Sequence, residues 1–521
     1  MPMVVEQEDL PIDSPPVISL IADTLQKNKQ ALVFLGTKRS AEKTAEDISK
    51  TIKNPAPELA QIAQDALSAL SRPTKQCERL AFCLKKGIAF HHAGLAYKQR
   101  ELIEENFKKG NVKIICCTPT LAYGVDTPAY RAIIKDVRRF SKQGLSWIPV
   151  LDYLQMAGRA GRPHYDTVGE AILVAATEDE KEAVIERYIK GKPEEIYSKL
   201  AVEPILRTYV LSLIAANFTT TKKQLIDFFS QTFYAYQFQD LTKMGLIIEK
   251  MLYQLEEWEF IISSAKEEFS SAHEIQEQKL KATLLGKRIA ELYIDPLTAH
   301  TFIVRMQDAS DRKLHAFSFL QVISHTQEMR PLLRVKANEY DDVQQKFLSY
   351  HQFLLEPEPS LYDPEYDDYL HAIKTALMFI DWIDEKSEEQ LLEFFDVRPG
   401  ELQAKLDTSD WLLYSMEEIA KILTFTSIHK EISKLRFRMR YGAKEELISL
   451  LRFEGIGRVR ARILYNNRIR DVGDVKSANI ATLKHLLGDK IALSLKKQVG
   501  EDIKEVPTGK RKGQISLKKF E

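Results

Sequence analysis

The sequence predicts a parallel, doubly wound α/β domain over its first third, followed by domains that are largely helical. Three short apolar runs that each end in a small or polar turn carry the first half of this reading. They are Ala31–Thr37, Gly87–Leu95 and Val112–Thr120, and the first two lead into amphipathic stretches at Ser40–Ile52 and Lys98–Lys108. Repeated strand, turn and helix builds a parallel sheet whose ligands gather at the carboxyl ends of the strands. After Val174 the alternation stops and apolar residues recur at three and four positions, the spacing of packed helices.

Composition limits the function classes. A chain of 521 residues with 44% hydrophobic content holds three or four domains with separate cores. Lysine and arginine number 74 and so do aspartate and glutamate, so charge says something about partners only where it clusters locally. The four cysteines, Cys77, Cys83, Cys116 and Cys117, lack zinc spacing, and two of them lie in an apolar strand. This predicts structural thiols in a reducing interior and no metal site. With no signal peptide and no apolar run near the roughly 20 residues of a membrane span, the expectation is a soluble cytoplasmic protein without a membrane partner.

Taken in order, the strand ends put Thr37, His92, Thr118, Gly124 and Asp126 along one edge of the predicted sheet. Next, Arg131–Phe140 and Leu145–Leu151 flank S-K-Q-G and read as a hairpin with a glycine-containing turn. Gln155–Pro163 then reads Q-M-A-G-R-A-G-R-P. Arg159 and Arg162 are three apart, each preceded by a glycine, so on a short helix both guanidinium groups project from one side with little bulk around them. Arginine suits phosphate because its planar fork holds two oxygens and stays charged.

The order V-F-L-G-T-K-R-S-A-E, H-H-A-G-L, T-P-T-L-A-Y-G-V-D-T-P-A and Q-M-A-G-R-A-G-R-P resembles motifs IV to VI of superfamily 2 helicases of the Ski-like group. Within that group it is most similar to archaeal DNA-repair helicases like eukaryotic HelQ. The resemblance implies two RecA-like domains with ATP and Mg²⁺ between them, of which this chain carries the second. No G-x-x-x-x-G-K-S/T loop and no D-E-x-H run occurs in the sequence, so the first domain is expected on a separate polypeptide, with both ATP and Mg²⁺ shared across the two. Gln155, Arg159 and Arg162 would then be catalytic, with Gly124 and Asp126 also on the nucleotide. Thr37, His92 and Thr118 would meet nucleic acid, and the hairpin would split the duplex with 3′ to 5′ travel. In the hairpin Phe140 and Trp147 offer stacking surface while Arg138 and Arg139 meet phosphate, the alternative being an ordinary hairpin with its aromatics in the core.

The domain reading is therefore a second RecA-like domain over 1–180, a winged-helix domain over 181–296, a helical ratchet bundle over 297–441, a helix-hairpin-helix domain over 442–505 and a flexible tail over 506–521. K-A-T-L-L-G-K-R-I-A-E-L-Y-I-D-P (Lys281–Pro296) resembles the winged-helix end of the family. Because the segment before it is dense in acids such as Glu256, Glu257 and Glu259, its expected role is to brace rather than to bind DNA. In the bundle, Pro399–Trp411 resembles the family's ratchet helix and places the base-stacking tryptophan at Trp411. The family's arginine seven residues earlier is here Ala404, flanked by Gln403 and Lys405. Trp382 has apolar neighbours on its helix face and reads as core.

Charge changes sign after Ser427, where arginines and lysines from Lys430 to Arg470 are met by few acids in sequence, the one region suited to a phosphate backbone. Within it F-E-G-I-G-R-V-R-A-R (Phe453–Arg462) is a helix-hairpin-helix signature. Gly455 and Gly457 would let backbone N–H groups reach a phosphate at a helix start, with Arg458, Arg460 and Arg462 beside it; the alternative is a glycine turn between structural helices. The tail ends in Q-I-S-L-K-K-F-E, where Gln514, Leu517 and Phe520 have the spacing of a sliding-clamp-binding peptide. Two functions follow: the translocating portion of a helicase acting on single-stranded and branched DNA, or a non-catalytic DNA- and clamp-binding module.

Overall fold

Five four-residue strands, β1 (Ala31–Phe34), β2 (Ile88–His91), β3 (Ile114–Cys117), β4 (Arg131–Ile134) and β7 (Glu170–Leu173), form one sheet in the order β2-β3-β1-β4-β7. Every pairing is parallel. The first four are buried along their whole length, which is why they read as continuous apolar runs and not as alternating ones. Between β4 and β7 a two-stranded antiparallel hairpin, β5 (Arg138–Ser141) and β6 (Gly144–Trp147), stands apart from the sheet.

This corrects the reading of Arg131–Phe140 as one strand. Its first four residues pair with β1 inside the sheet, and the hairpin begins only at Arg138. Lys135, Asp136 and Val137 make the break, and the Asp136 carboxylate accepts from the Gly36 amide at 2.9 Å. Helices α1 (Pro16–Gln26), α2 (Lys38–Thr51), α3 (Ala60–Ser68), α4 (Lys75–Leu84), α5 (Tyr97–Lys108) and α6 (Val150–Ala157) complete this domain. Thr37 caps α2 by accepting from the Ser40 amide, and Thr74 caps α4 in the same way from Cys77, so each helix begins where a hydroxyl first satisfies an orphan N–H. The four cysteines are buried and unbridged, and burial pushes the Cys83 thiol up to about 12.

The computed structural model describes residues 15–52, 57–70, 72–123, 127–141, 144–161, 166–200, 202–239, 241–264, 279–309 and 312–500. They fall into two units, one of residues up to 300 together with 387–408, the other of 301–386 together with residues from 409. In the first unit, α7 (Glu178–Val184) leads to a second module of α8 (Glu203–Ala215), α9 (Lys222–Ser230), α10 (Phe233–Phe238) and α11 (Leu241–Glu257). A two-stranded wing, β8 (Ile261–Ser263) against β9 (Leu280–Ala282), and the helix Leu284–Leu292 follow. Arg207 of α8 meets Asp295 through two hydrogen bonds of 2.8 Å, with both side chains almost fully enclosed.

The second unit is helical. Its central helix, Tyr366–Ile383, is buried at nearly every position, and its enclosed charges Lys374 and Asp381 are paired with Glu339 and Lys346. Trp382 is buried and donates its indole N–H to the Met439 carbonyl at 2.7 Å. From Ala443 to Leu495 a smaller cluster of helices has its own apolar core, which includes Leu447, Leu450, Ala461, Leu464 and Leu483. Among the described residues no helix is long and apolar enough to cross a membrane.

Candidate functional site

Thr37, His92 and Thr118 each follow a strand of the sheet. Thr37 follows β1 and is exposed, with its hydroxyl committed to the α2 cap. Thr118 follows β3, is 8% exposed, and shares a 2.8 Å hydrogen bond with the Thr120 hydroxyl. Gly124 and Asp126 lie outside the described residues, as does Arg162. Arg159 is half-buried, and both its Nε and Nη2 donate to the Ala122 carbonyl, so its fork is fixed on backbone.

The backbone around Arg159 is tied down on both sides. The Arg159 carbonyl accepts from the Ala129 amide at 2.9 Å, and the Gly161 amide donates to the Ala129 carbonyl at 2.6 Å. Gly161 has φ +90°, a conformation glycine adopts without strain. A Cβ on Gly169 would fall 2.2 Å from the Gly161 nitrogen, so the close approach needs glycine on that side too. Placing Arg159 and Arg162 on one short helix is thus corrected: α6 ends at Ala157, Gly158 caps it, and Gly161 turns the chain away. Gln155 is exposed on α6, one turn before Arg159.

His92 is also corrected as a residue open to a strand of nucleic acid, because its ring is fully enclosed. Nδ1 accepts from the Gly94 amide at 3.1 Å, which leaves the proton on Nε2 to donate to Glu42 at 3.1 Å. Burial holds this imidazole below its ordinary value, against the pull of Glu42. Glu42 of α2 is 2% exposed and collects Gln76 Nε2 at 2.8 Å, Arg79 Nη1 at 2.5 Å and Arg398 Nε at 3.2 Å besides His92. Burial alone would raise the carboxyl, but the hydrogen bonds from His92 and Gln76 and the Arg398 charge bring it down to about 2. Sequence reasoning missed Glu42; the available signal was a carboxylate on the same helix face as Ala41, Ala45 and Ile48.

Because the folded value lies below the ordinary one of 4.5, the stability Glu42 confers is complete above pH 4.5 and is lost as the pH falls through about 2. Unfolding titrations of the wild type and Glu42→Gln from pH 6 downward should show a gap on the order of 3 kcal/mol that narrows below about pH 4.5. A gap that is constant with pH would mean that the carboxylate's charge contributes nothing.

On the hairpin, Arg139 reaches Asp152 at 3.4 Å and is half exposed, and Asp152 also accepts from the Tyr123 hydroxyl at 2.5 Å. Burial and this acceptor push the Tyr123 phenol up to about 12. Trp147 is corrected as a stacking surface: it packs edge-on against the buried Tyr188 and under the Arg138 guanidinium, 4.2 Å from its ring centre. Phe140 is described only in its backbone, within β5.

In the second unit, Trp411 is partly buried on the 24-residue helix Pro399–Ile422. Burial pulls the Lys405 ammonium on the same helix down to about 8, against Glu401. Gly455 sits at φ +79°, and Gly457 is the N-cap of the helix Arg458–Asn466. Of the three arginines singled out there, only Arg460 is well exposed; it donates to the Gly455 carbonyl. Arg458 stacks on Trp382, 4.4 Å from the ring centre. Arg462 is held by Glu385 and Glu446, which raise its already high basicity. The reading that few acids meet these arginines is therefore corrected, since acids distant in sequence fold back onto Arg462. Among the described residues the exposed arginines of this module are Arg452, Arg460, Arg468 and Arg470, and Lys444, Lys476, Lys490 and Lys497 are exposed as well. Gln514, Leu517 and Phe520 lie outside the described residues.

A parallel α/β domain followed by a winged module and a helical bundle places the chain among proteins built from helicase domains. The matching family descriptions agree: a helicase conserved C-terminal domain over 66–164, a helix-turn-helix domain over 169–262, and domain 4 of archaeal helicases over 317–442. The chain belongs to the Hel308 family. It is 40% identical over 495 residues to the ATP-dependent DNA helicase Hel308 of Pyrococcus horikoshii, covering 94% of this chain and 66% of that protein. To the Pyrococcus abyssi relative it is 38% identical, covering 95% and 67%, and to that of Methanocella arvoryzae 37%, covering 94% and 65%. The chain thus spans about two thirds of the length of these relatives.

Proposed function

We propose that this chain is the translocating and strand-splitting portion of an ATP-dependent 3′–5′ DNA helicase acting in replication-fork repair, whose nucleotide site is completed by a polypeptide carrying the first RecA-like domain. The observation that carries the reading is Arg159, fixed by its bonds to Ala122 and Ala129 at the carboxyl edge of the sheet. Its geometry fits a phosphate from one side: the fork is planar, half-buried and held in place by backbone. The partner polypeptide would supply the other side, with the Walker loop and the acids for Mg²⁺. When bound, ATP supplies the energy for strand movement; this chain's residues bind, orient and neutralise charge.

On the DNA side, Trp411 is the proposed base-stacking residue and Arg139 a proposed phosphate contact on the hairpin. We read the turn at Gly455–Gly457 as a helix-hairpin-helix, with Arg452, Arg460, Arg468 and Arg470 as its outer phosphate contacts. Gln514, Leu517 and Phe520 are proposed to engage a sliding clamp. Fluorescence titration of single-stranded DNA at several salt concentrations tests this. Trp411→Ala should cost roughly 1–3 kcal/mol. Replacing the four exposed arginines together should flatten the salt dependence, since each lost contact releases about one counterion fewer. Unchanged affinity and slope in both variants would remove the DNA reading from this part of the chain. The second reading, a non-catalytic DNA- and clamp-binding module, is favoured by the absence of a Walker loop from the 521 residues, and it predicts that no added polypeptide restores ATP turnover.

A further inference from the structure

We infer that the H-H-A-G-L loop and the residues heading the long helix form a latch, in which Arg398 is the positioning residue that seats the head of the helix Pro399–Ile422 on the parallel-sheet domain. All the contacts of the latch lie within the first unit, which includes 387–408. The Arg398 side chain is 11% exposed and its Nε reaches Glu42 at 3.2 Å. It lies so close over the loop that a Cβ on Gly94 would meet its Cδ at 2.4 Å. The Gly400 amide donates to the Gly94 carbonyl at 3.1 Å, and a Cβ on Gly400 would fall 2.2 Å from the Leu95 carbonyl oxygen. Two glycines, one from each side, thus allow backbone to meet backbone. Around this centre Lys38 pairs with Glu401, Arg39 with Asp396 at 3.8 Å, and Glu401 accepts from the Arg398 amide at 3.0 Å.

The placement suggests transmission as well as adhesion. Glu42 lies on α2, whose cap is Thr37, and His92 directly follows β2, so the hub is built from the loops at the carboxyl ends of two strands. On the other side Pro399–Ile422 runs as one helix with no glycine or proline after Gly400. A change at the strand ends that moves α2 therefore moves the head of this helix through one enclosed ion pair. A buried carboxylate hydrogen-bonded on several sides tolerates little displacement, which makes it a firm joint.

The part of this inference that concerns coupling rests on the helicase reading above, and two measurements keep the two apart. In the full chain, Arg398→Ala should raise hydrogen exchange at Gly400 and the first turn of its helix by about tenfold or more, with β1 and β3 unchanged. Arg398→Lys, which keeps the charge, should recover part of the protection; should the alanine variant lose protection throughout, the lysine variant decides. Unchanged exchange at Gly400 in both variants overturns the latch. With the nucleotide-binding polypeptide added, Arg398→Ala should unwind at least about fivefold fewer base pairs per ATP while DNA-stimulated turnover stays within about twofold. A parallel fall in both, or in neither, overturns the coupling. If the wild-type mixture does not unwind, the helicase reading and the coupling fall together, and the exchange result alone judges the latch.

Discussion

Purified alone, the chain should show no DNA-stimulated ATP hydrolysis, and adding a polypeptide with the Walker loop and the D-E-x-H acids should bring it on. Phosphoryl transfer needs the nucleotide positioned and its charge neutralised from both sides, and on the proposed reading Arg159 with its neighbours would supply one side. In the reconstituted mixture Arg159→Ala should lower turnover by about 10³-fold or more, the scale reached when a charge-stabilising arginine is removed from such a site. Because the Arg159 backbone is held through Ala129, and the side chain adds only its bonds to the Ala122 carbonyl, the variant should still fold and bind DNA. Steady-state phosphate release measures both effects. Robust hydrolysis by the chain alone, or full activity of Arg159→Ala in the mixture, would sink the proposed division of the site.

The second large effect concerns stability. Arg207 and Asp295 are joined by paired 2.8 Å bonds inside the first unit, and Asp295 also accepts from the Leu297 amide. The Arg207 guanidinium lies 5.7 Å from the ring centre of Trp258. Arg207→Ala leaves the carboxylate buried without its counter-charge, and breaking such a pair costs about 3–5 kcal/mol, a large share of the roughly 5–15 kcal/mol that holds a domain folded. Replacing both partners by apolar residues, as in Arg207→Met with Asp295→Leu, should recover most of the loss, since the penalty comes from the stranded charge. Thermal unfolding of the three proteins distinguishes the cases; equal melting temperatures for wild type and Arg207→Ala would show that water reaches the pair.

The parallel sheet was legible because buried strands are uninterrupted apolar runs, and Leu32–Phe34, Ile88–Phe90 and Ile114–Cys117 declare themselves. The division of Arg131–Phe140 was not: β4 and β5 sit three residues apart with similar composition, and only pairing partners distant in sequence tell them apart. Charge was the weakest guide. Arg462 looks free in a basic stretch until Glu385 folds against it, and Arg458 looks like a phosphate ligand until Trp382 takes its face. His92 was misplaced for the same reason, since a histidine at a strand end can face solvent or, as here, a buried carboxylate on the next helix. Arg159 stands out by its spacing to glycine, but its anchoring carbonyl, a backbone atom of Ala122, leaves no trace in residue type.

The first unit is discontinuous in sequence, and this sets a schedule for its synthesis. The strands of its sheet have all been made once Leu173 leaves the ribosome, yet the residues that finish its surface, 387–408, come only after 301–386 have been translated. At roughly 5–20 residues per second that interval alone lasts about 4–17 seconds. Throughout it Glu42 keeps His92, Gln76 and Arg79 as partners but lacks Arg398, while Gly94 and the Leu95 carbonyl lack their cover from 387–408. A nascent chain stalled before residue 387 would therefore present that uncovered patch to holding chaperones, and one stalled late enough for residue 408 to have left the ribosome would not.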